Sequence, residues 1–151
     1  MTVKLSLATC PSPIGPLVLA TGPHGLVRLE LGGDRAQVEA DLARRFADCE
    51  VREARDPGGV ASALRRYFDG RLDALDALPV DPGGTEFQRQ VWLTLRQIPA
   101  GRTWSYAQLA QAVGRPSAVR AVGATNGRNP LPLVLPCHRV IGSDGSLVGY
   151  G

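Results

Sequence analysis

The first third of the chain alternates short apolar runs with turns. Apolar and polar side chains alternate over residues 3–7, and two apolar runs follow at residues 17–20 and 26–31. Proline and glycine residues separate these runs. Short strands bounded by such turns are typical of hairpins, so the pattern predicts a small antiparallel meander.

Two amphipathic helices are predicted after the meander. Asp34 is a suitable N-cap for a helix that runs to about Ala47, with apolar side chains recurring on one face. Residues 56–59, Asp-Pro-Gly-Gly, then break the pattern. A second helix is predicted from about residue 60 to residue 68, ending at Gly70.

A second Asp-Pro-Gly-Gly segment, residues 81–84, is the predicted boundary between two domains, at 1–82 and 83–151. Residues 1–84 carry ten basic and twelve acidic side chains, whereas residues 85–151 carry seven arginines and two acids. A small basic domain favours a polyanionic partner, and nucleic acid is the commonest one. On charge alone, a basic face exposed to solvent is an equal alternative.

Three helices are predicted in the basic half. Thr85 caps the first, which Pro99 and Gly101 end. Ser105 caps a helix over residues 106–113 that Gly114 closes, and Ser117 caps another that runs from Ala118 to about Ala124 and closes near residues 126–127. Two short helices joined by a tight turn that contains glycine have the outline of a helix-turn-helix.

The second helix of this pair carries one long side chain, Arg120, among alanine, valine and glycine. A slim helix can pack tightly in a core, or it can enter a narrow groove of DNA. An isolated cation gains little inside a core, so Arg120 favours the groove.

Composition excludes several other classes of protein. The chain is 44% hydrophobic and 21% charged, and it has neither a secretory signal nor an apolar run of about 18 residues, so we expect a cytoplasmic protein without a membrane partner. Its three cysteines do not resemble a disulfide framework. Cys10, Cys49 and His24 do not have zinc-site spacing, so no metal is expected.

The densest chemical segment is Pro136-Cys137-His138-Arg139-Val140. By itself a cysteine beside a histidine is weak evidence of catalysis. Most lone cysteines are small buried hydrophobic residues, and an adjacent histidine rarely reaches the thiol directly.

Together with the segments upstream of it, this motif resembles the O6-alkylguanine-DNA alkyltransferase family. The matching segments occur in the family's order from about Thr85 to Gly151. Residues 12–16, Ser-Pro-Ile-Gly-Pro, also resemble the start of that family's N-terminal domain. The upstream segments are Thr85-Glu86-Phe87-Gln88, Val91-Trp92, Ile98-Pro99-Ala100-Gly101, Ser105-Tyr106, Arg120-Ala121-Val122-Gly123 and Asn129-Pro130. The resemblance implies an α+β fold, with a small N-terminal antiparallel sheet and helices like those of ribonuclease H. A mostly helical C-terminal domain resembling a winged helix-turn-helix would follow.

The resemblance implies repair of DNA by a protein that acts once. Cys137 takes the alkyl group from O6 of guanine, and also from O4 of alkylthymine, with no cofactor. Displacement at carbon suits a thiolate, but a free cysteine with a pKa of about 8.5 needs a base. The family's pattern gives that role to His138, through a water molecule, and makes Tyr106 the proton donor to the leaving base.

The same resemblance implies double-stranded DNA as the partner of a monomeric protein. The base must leave the stack, so the slim helix enters the minor groove and Arg120 fills the gap. The residues expected to contact DNA beside it are Ser105, Ala118, Ala121, Gly123 and Arg128.

Five further positions match residues that shape the family's active site. Asn129 would brace the active segment by hydrogen bonding, although an ordinary turn asparagine is an alternative. Pro136 fixes the approach of the backbone, and the Val140 carbonyl accepts from the guanine amine. Tyr150 forms a wall of the alkyl pocket, and the Gly151 amide approaches O6.

The family continues beyond this point into a basic helix with a glutamate that orients the histidine. This sequence ends at Gly151, so that helix is expected to be lacking. A shortened chain, a tail not included in the sequence or a naturally short protein would each explain the difference, and true absence would leave Cys137 weakly activated. Two other functions stay open: a module that binds alkylated DNA without reacting, and a thiol hydrolase.

Overall fold

A computed structural model describes residues 1–142 of the chain. The chain divides into two compact units, Met1–Asp81 and Pro82–Gly151. Within the part that the structure describes, no helix is long and apolar enough to cross a membrane. The two units are described separately below.

A four-stranded sheet forms the centre of the first unit, in the order β3-β2-β1-β4. Strands β1 (Val3–Cys10), β2 (Leu17–Gly22) and β3 (Gly25–Leu31) follow one another through short connections and pair in antiparallel fashion. The predicted antiparallel meander is therefore confirmed.

The fourth strand, β4 (Cys49–Glu53), pairs with β1 in parallel, so the sheet as a whole is mixed. The sequence analysis did not predict β4, because the segment Cys-Glu-Val-Arg-Glu contains only two apolar residues, too few to define a strand pattern. Its position at the sheet edge explains the composition: Val51 is 40% exposed, and the charged side chains face solvent.

The first unit also contains helices α1 (Arg35–Arg45) and α2 (Val60–Phe68). The Asp34 side chain accepts a hydrogen bond from the Gln37 amide, so the predicted N-cap is confirmed. Helix α1 ends before the predicted Ala47 because Phe46 is extended and leads into β4. Its buried side chains pack on apolar residues of the sheet. The resulting core cluster comprises Leu5, Leu7, Val18, Ala20, Val27, Val38 and Leu42.

As far as residue 142, the second unit is mainly helical and contains one very short sheet. Its elements in chain order are α3 (Glu86–Thr94), a 3-10 turn (Leu95–Gln97), β5 (Trp104–Ser105), α4 (Tyr106–Val113), α5 (Val119–Asn126), a second 3-10 turn (Cys137–Arg139) and β6 (Val140–Ile141). Strands β5 and β6 are parallel neighbours, with Trp104 opposite Val140 and Ser105 opposite Ile141.

Capping residues set the starts of two of these helices. The predicted N-caps Thr85 and Ser105 are confirmed, and each forms in addition a capping box with the glutamine three residues later. The predicted cap at Ser117 is wrong, since Ala118 occupies that position without a side-chain hydrogen bond. Ser117 lies instead in a turn closed by the Ala118 amide and the Arg115 carbonyl. Pro116 is suited to the second position of such a turn.

Helices α3, α4 and α5 share a core in which Trp92 joins α3 to α5. Its indole Nε1–H donates to the Thr125 carbonyl at 2.8 Å inside the protein. Gly84, at φ +79°, permits this packing: a Cβ atom there would lie 2.8 Å from the Trp92 ring. A side chain at Gly84 would therefore displace Trp92.

Candidate functional site

The Cys137–Arg139 turn holds the only cysteine of the second unit. Pro136 precedes the turn and is buried, and the Cys137 side chain is 4% exposed. The Cys137 amide donates to the Leu135 carbonyl at 2.7 Å, and the Arg139 amide donates to the Pro136 carbonyl at 3.0 Å. The backbone around the thiol is thus fixed by local hydrogen bonds.

Asn129 braces the loop that leads into this turn. Its side-chain Nδ2 donates to the Leu135 carbonyl at 2.6 Å, and its Oδ1 accepts from the Leu131 amide at 2.9 Å. Within the loop Leu133 has φ +72°, a left-handed conformation that is unfavourable for a leucine. The asparagine therefore stabilises a segment whose backbone is locally strained.

Two longer-range contacts hold the other side of the turn. The Arg139 guanidinium donates through Nη1 to the Ile98 carbonyl at 2.7 Å. The β5–β6 ladder places Val140 beside Trp104, directly before helix α4. Sequence reasoning missed both, because each joins residues more than thirty positions apart and a two-residue strand leaves no recognisable pattern.

Tyr106, the first residue of α4, contacts helix α5 and lies near the cysteine. Its ring packs against Gly123, where an ideal Cβ would lie 3.4 Å from the Tyr106 Cδ1. Burial raises the pKa of the Tyr106 phenol, a hydrogen bond with the Asn126 side chain lowers it, and the nearby Cys137 raises it. The phenol, the amide and the thiol therefore form one cluster.

Asn126 is a member of this cluster that the sequence analysis placed only at the end of a helix. The side chain is 2% exposed, and its Nδ2 donates to the Cys137 carbonyl at 3.3 Å. An asparagine at a helix end before glycine is typical of a C-terminal stop, so the local sequence did not reveal its inward orientation.

His138 is half-buried beside the thiol in the same turn. Burial lowers the pKa of its imidazole, and the neighbouring Arg139 charge lowers it further. Its Nδ1 is buried and has no hydrogen-bond partner among residues 1–142. A neutral imidazole at neutral pH is able to accept a proton.

Helix α5 presents small side chains and one arginine to solvent. Arg120, Ala121 and Ala124 are exposed, whereas Val122 on the opposite face is fully buried. Arg128 is exposed just after the helix. Three further residues expected at this surface, Ala118, Gly123 and Ser105, are partly buried, and the Ser105 hydroxyl accepts from the Gln108 amide at 3.0 Å.

Comparison with known proteins identifies the family. Residues 5–82 match the ribonuclease-like domain of 6-O-methylguanine DNA methyltransferase, and residues 86–151 match its DNA binding domain. The chain belongs to the 6-O-methylguanine DNA methyltransferase family. The resemblance inferred from the cysteine motif and the two-part α+β fold class are thereby confirmed.

Relatives of this methyltransferase family match nearly the whole chain. The methylated-DNA–protein-cysteine methyltransferase of Shigella flexneri is 46% identical over 142 residues, which cover 92% of this chain and 83% of the relative. That of Methanosarcina barkeri is 45% identical over 143 residues, covering 92% and 84%. The crystal structure of Mycobacterium tuberculosis OGT in complex with DNA has a TM-score of 0.75 and 35% identity, over 97% of this chain and 84% of that chain.

The family assignment leaves the roles of individual residues as predictions. Two of the predicted pocket residues, Tyr150 and Gly151, lie outside the described residues. Within residues 1–142 no group of three or more histidine, cysteine, aspartate or glutamate side chains could hold a metal ion. The structure brings together Cys137, His138 and Tyr106. Asn129 is hydrogen-bonded to the segment that precedes Cys137.

Proposed function

We propose that this chain repairs DNA by moving an alkyl group from O6 of guanine, and from O4 of thymine, onto the sulfur of Cys137. The observation that carries the proposal is the cluster of thiol, phenol and helix-end amide beside the slim helix α5. A sulfur–carbon bond forms and the carbon–oxygen bond to the base breaks. The alkylated cysteine is not regenerated, so each molecule acts once.

His138 is the proposed base for the thiol. Thiolates displace at carbon far better than thiols, so the Cys137 proton must leave before or during attack. The lowered pKa of His138 supports this role, because the imidazole is then neutral and can accept the proton at physiological pH. As the two side chains are adjacent in the chain, we propose that a water molecule carries the proton between them.

Tyr106 is the proposed acid for the departing base. When the carbon–oxygen bond breaks, the electron pair stays on the base, which becomes negatively charged unless it receives a proton. The Tyr106 hydroxyl lies close enough to Cys137 to interact with the thiol electrostatically. A phenol at this place can donate its proton to the base while sulfur attacks.

Double-stranded DNA is the proposed partner, approached through the minor groove by a monomer in the cytoplasm. A groove about 6 Å wide admits small residues such as Ala118, Ala121 and Gly123. Arg120 is exposed on the same helix and would occupy the gap left by the everted nucleotide. Ser105 and Arg128 flank this surface and would contact the phosphate backbone.

The remaining proposed roles shape the pocket. Asn129 and Pro136 hold the Cys137 segment, Val140 offers its carbonyl to the base, and Tyr150 and Gly151 complete the pocket. Residues 83–151 would bind DNA and transfer the alkyl group, and residues 1–82 would support them.

The direct test is the mass of the intact protein before and after incubation with duplex DNA that contains O6-methylguanine. We expect one added CH2 unit, located on the peptide that contains Cys137. Cys137→Ser should abolish the gain, whereas the matched control Cys49→Ser should retain it. Tight binding to the damaged duplex without any gain would instead indicate a non-reacting damage-binding module. Turnover of an ester beyond one equivalent would indicate a hydrolase.

A second test isolates the role of Arg120. Arg120→Ala should slow transfer from duplex DNA roughly tenfold or more, because unstacking a base costs a few kcal/mol that the arginine partly offsets. Transfer from the free base O6-methylguanine needs no eversion and should change less than about twofold by the same reasoning. Arg102→Ala, at another exposed arginine of the second unit, is the control. Equal losses on both substrates would contradict the eversion role.

A further inference from the structure

We infer that Asn126 is a positioning residue for the transfer reaction, which holds the Tyr106 hydroxyl so that its proton points toward the departing base. The inference rests on the proposed function and extends it to a residue outside the Cys-His motif. Its structural basis is the pair of contacts that the Asn126 side chain makes, with the Cys137 carbonyl and with the Tyr106 hydroxyl.

The Cys137 carbonyl determines which way the Asn126 amide faces. A carbonyl oxygen can only accept a hydrogen bond, so the Asn126 amide must direct Nδ2 toward it. The observed distance from Nδ2 to the Cys137 carbonyl oxygen is 3.3 Å. The opposite orientation would place two acceptor oxygens against each other. The remaining N–H of Nδ2 is then the group available to the Tyr106 hydroxyl, because Asn126 Oδ1 has no partner among residues 1–142.

This geometry constrains the phenol. When the Asn126 amide donates to the Tyr106 oxygen, that oxygen acts as an acceptor in this bond, and its own proton must point elsewhere. Donation to the oxygen also stabilises the phenolate that forms as the proton leaves, since a hydrogen bond favours the charged form of the group that accepts it. Both effects improve Tyr106 as a donor to the base.

The Asn126 side chain carries a cost in stability beside the two hydrogen bonds that it makes. Its Oδ1 is buried without a partner among the residues that the structure describes, and such an acceptor disfavours the folded state. A leucine of similar shape would remove that cost. The N–H groups that face Tyr106 and Cys137 are therefore the part of the amide that offsets this cost.

The test is a double-mutant cycle with Asn126→Leu and Tyr106→Phe, read as the single-turnover rate of methyl transfer at saturating O6-methylguanine DNA. Asn126→Leu should slow transfer roughly tenfold or more, since hydrogen bonds to groups that become charged are the stronger class. With Tyr106→Phe already present, the same change should alter the rate by less than about twofold. Equal effects in both backgrounds would overturn the inference.

A second readout separates Tyr106 from the thiol. Iodoacetamide alkylates Cys137 without a leaving base, so Asn126→Leu should leave that rate unchanged within about twofold if the residue acts through Tyr106. Peptide mapping distinguishes Cys137 from Cys10 and Cys49. A parallel loss of both rates would place the effect of Asn126 on the cysteine and contradict the inference.

Two further variants control for folding and shape. Thr125→Val changes the neighbouring buried polar side chain but keeps the backbone carbonyl that accepts from Trp92, and it should leave transfer unchanged. Asn126→Asp keeps the shape of the side chain and removes both N–H donors, so it should lose transfer as Asn126→Leu does. Retained transfer in Asn126→Asp would overturn the inference. If the unsubstituted protein itself gains no methyl group, the proposed function fails instead.

Discussion

Replacing Asn129 with alanine tests how the active segment is held. The change removes the 2.6 Å bond to the Leu135 carbonyl and the 2.9 Å bond from the Leu131 amide. Leu131 is fully buried, and its N–H loses the acceptor that Asn129 supplies. The Leu135 carbonyl still accepts from the Cys137 amide at 2.7 Å, so it loses only one of its two bonds.

The expected cost follows from these two losses. An orphaned buried donor costs about 1–3 kcal/mol, and the second bond to a carbonyl contributes about 0.5–1.5 kcal/mol. Asn129 is only half-buried, so water can enter the vacated space and the total should lie near the lower end, at about 2 kcal/mol. With a urea dependence of about 2 kcal/mol per M, the unfolding midpoint should fall by roughly 1 M.

Tryptophan fluorescence during urea unfolding is a suitable assay, since both tryptophans, Trp92 and Trp104, lie in the second unit. The first unit therefore does not contribute a tryptophan signal. Gln111→Ala, an exposed polar substitution on α4, is the matched control and should shift the midpoint very little. If Asn129→Ala unfolds at the same urea concentration as that control, the bracing role is refuted.

Three further predictions concern the base, the core and the slim helix. Because burial holds the pKa of His138 below the ordinary 6.5, its neutral form persists as pH falls, and the transfer rate should decline only below that value in a pH–rate profile. Trp92→Phe removes the buried bond to the Thr125 carbonyl and should lower the unfolding free energy by about 1–2 kcal/mol in urea unfolding. Gly123→Ala should raise the unfolding free energy by about 0.5–1 kcal/mol, measured by thermal unfolding, because alanine is the better helix residue. A Cβ atom at this position lies at ordinary contact distance from Tyr106.

Each of these predictions has an outcome that contradicts it. If the transfer rate has already fallen to half its maximum at a pH equal to the ordinary histidine pKa, then His138 is not the base or is not desolvated. An unchanged unfolding free energy in Trp92→Phe would mean that the hydrogen bond between the Trp92 indole and the Thr125 carbonyl makes no net contribution to stability. A less stable Gly123→Ala would show that the Tyr106 ring cannot accommodate one more methyl group.

The local sequence was sufficient to predict a structural feature wherever the hydrogen-bond partners lie within one helical turn of each other in the chain. Asp34, Thr85 and Ser105 were predicted as caps, and each accepts from an amide three residues later. The antiparallel meander was equally predictable, because short turns bring neighbouring apolar strands together. Ser117 shows the limit of the same reasoning: a good capping residue was overruled by a proline turn that shifted the helix start by one residue.

Residue types and their order also indicated the family and made Cys137, His138, Tyr106 and Arg120 candidate functional residues. Only the tertiary structure placed Asn126 against Tyr106 and Cys137, and tied Arg139 to the Ile98 carbonyl forty-one positions away. Strands β4, β5 and β6 were likewise decided by partners distant in the chain. The physical reason is the range of the interactions: a cap or a turn is satisfied by its neighbours, whereas a buried amide finds its partners only after the helices have packed.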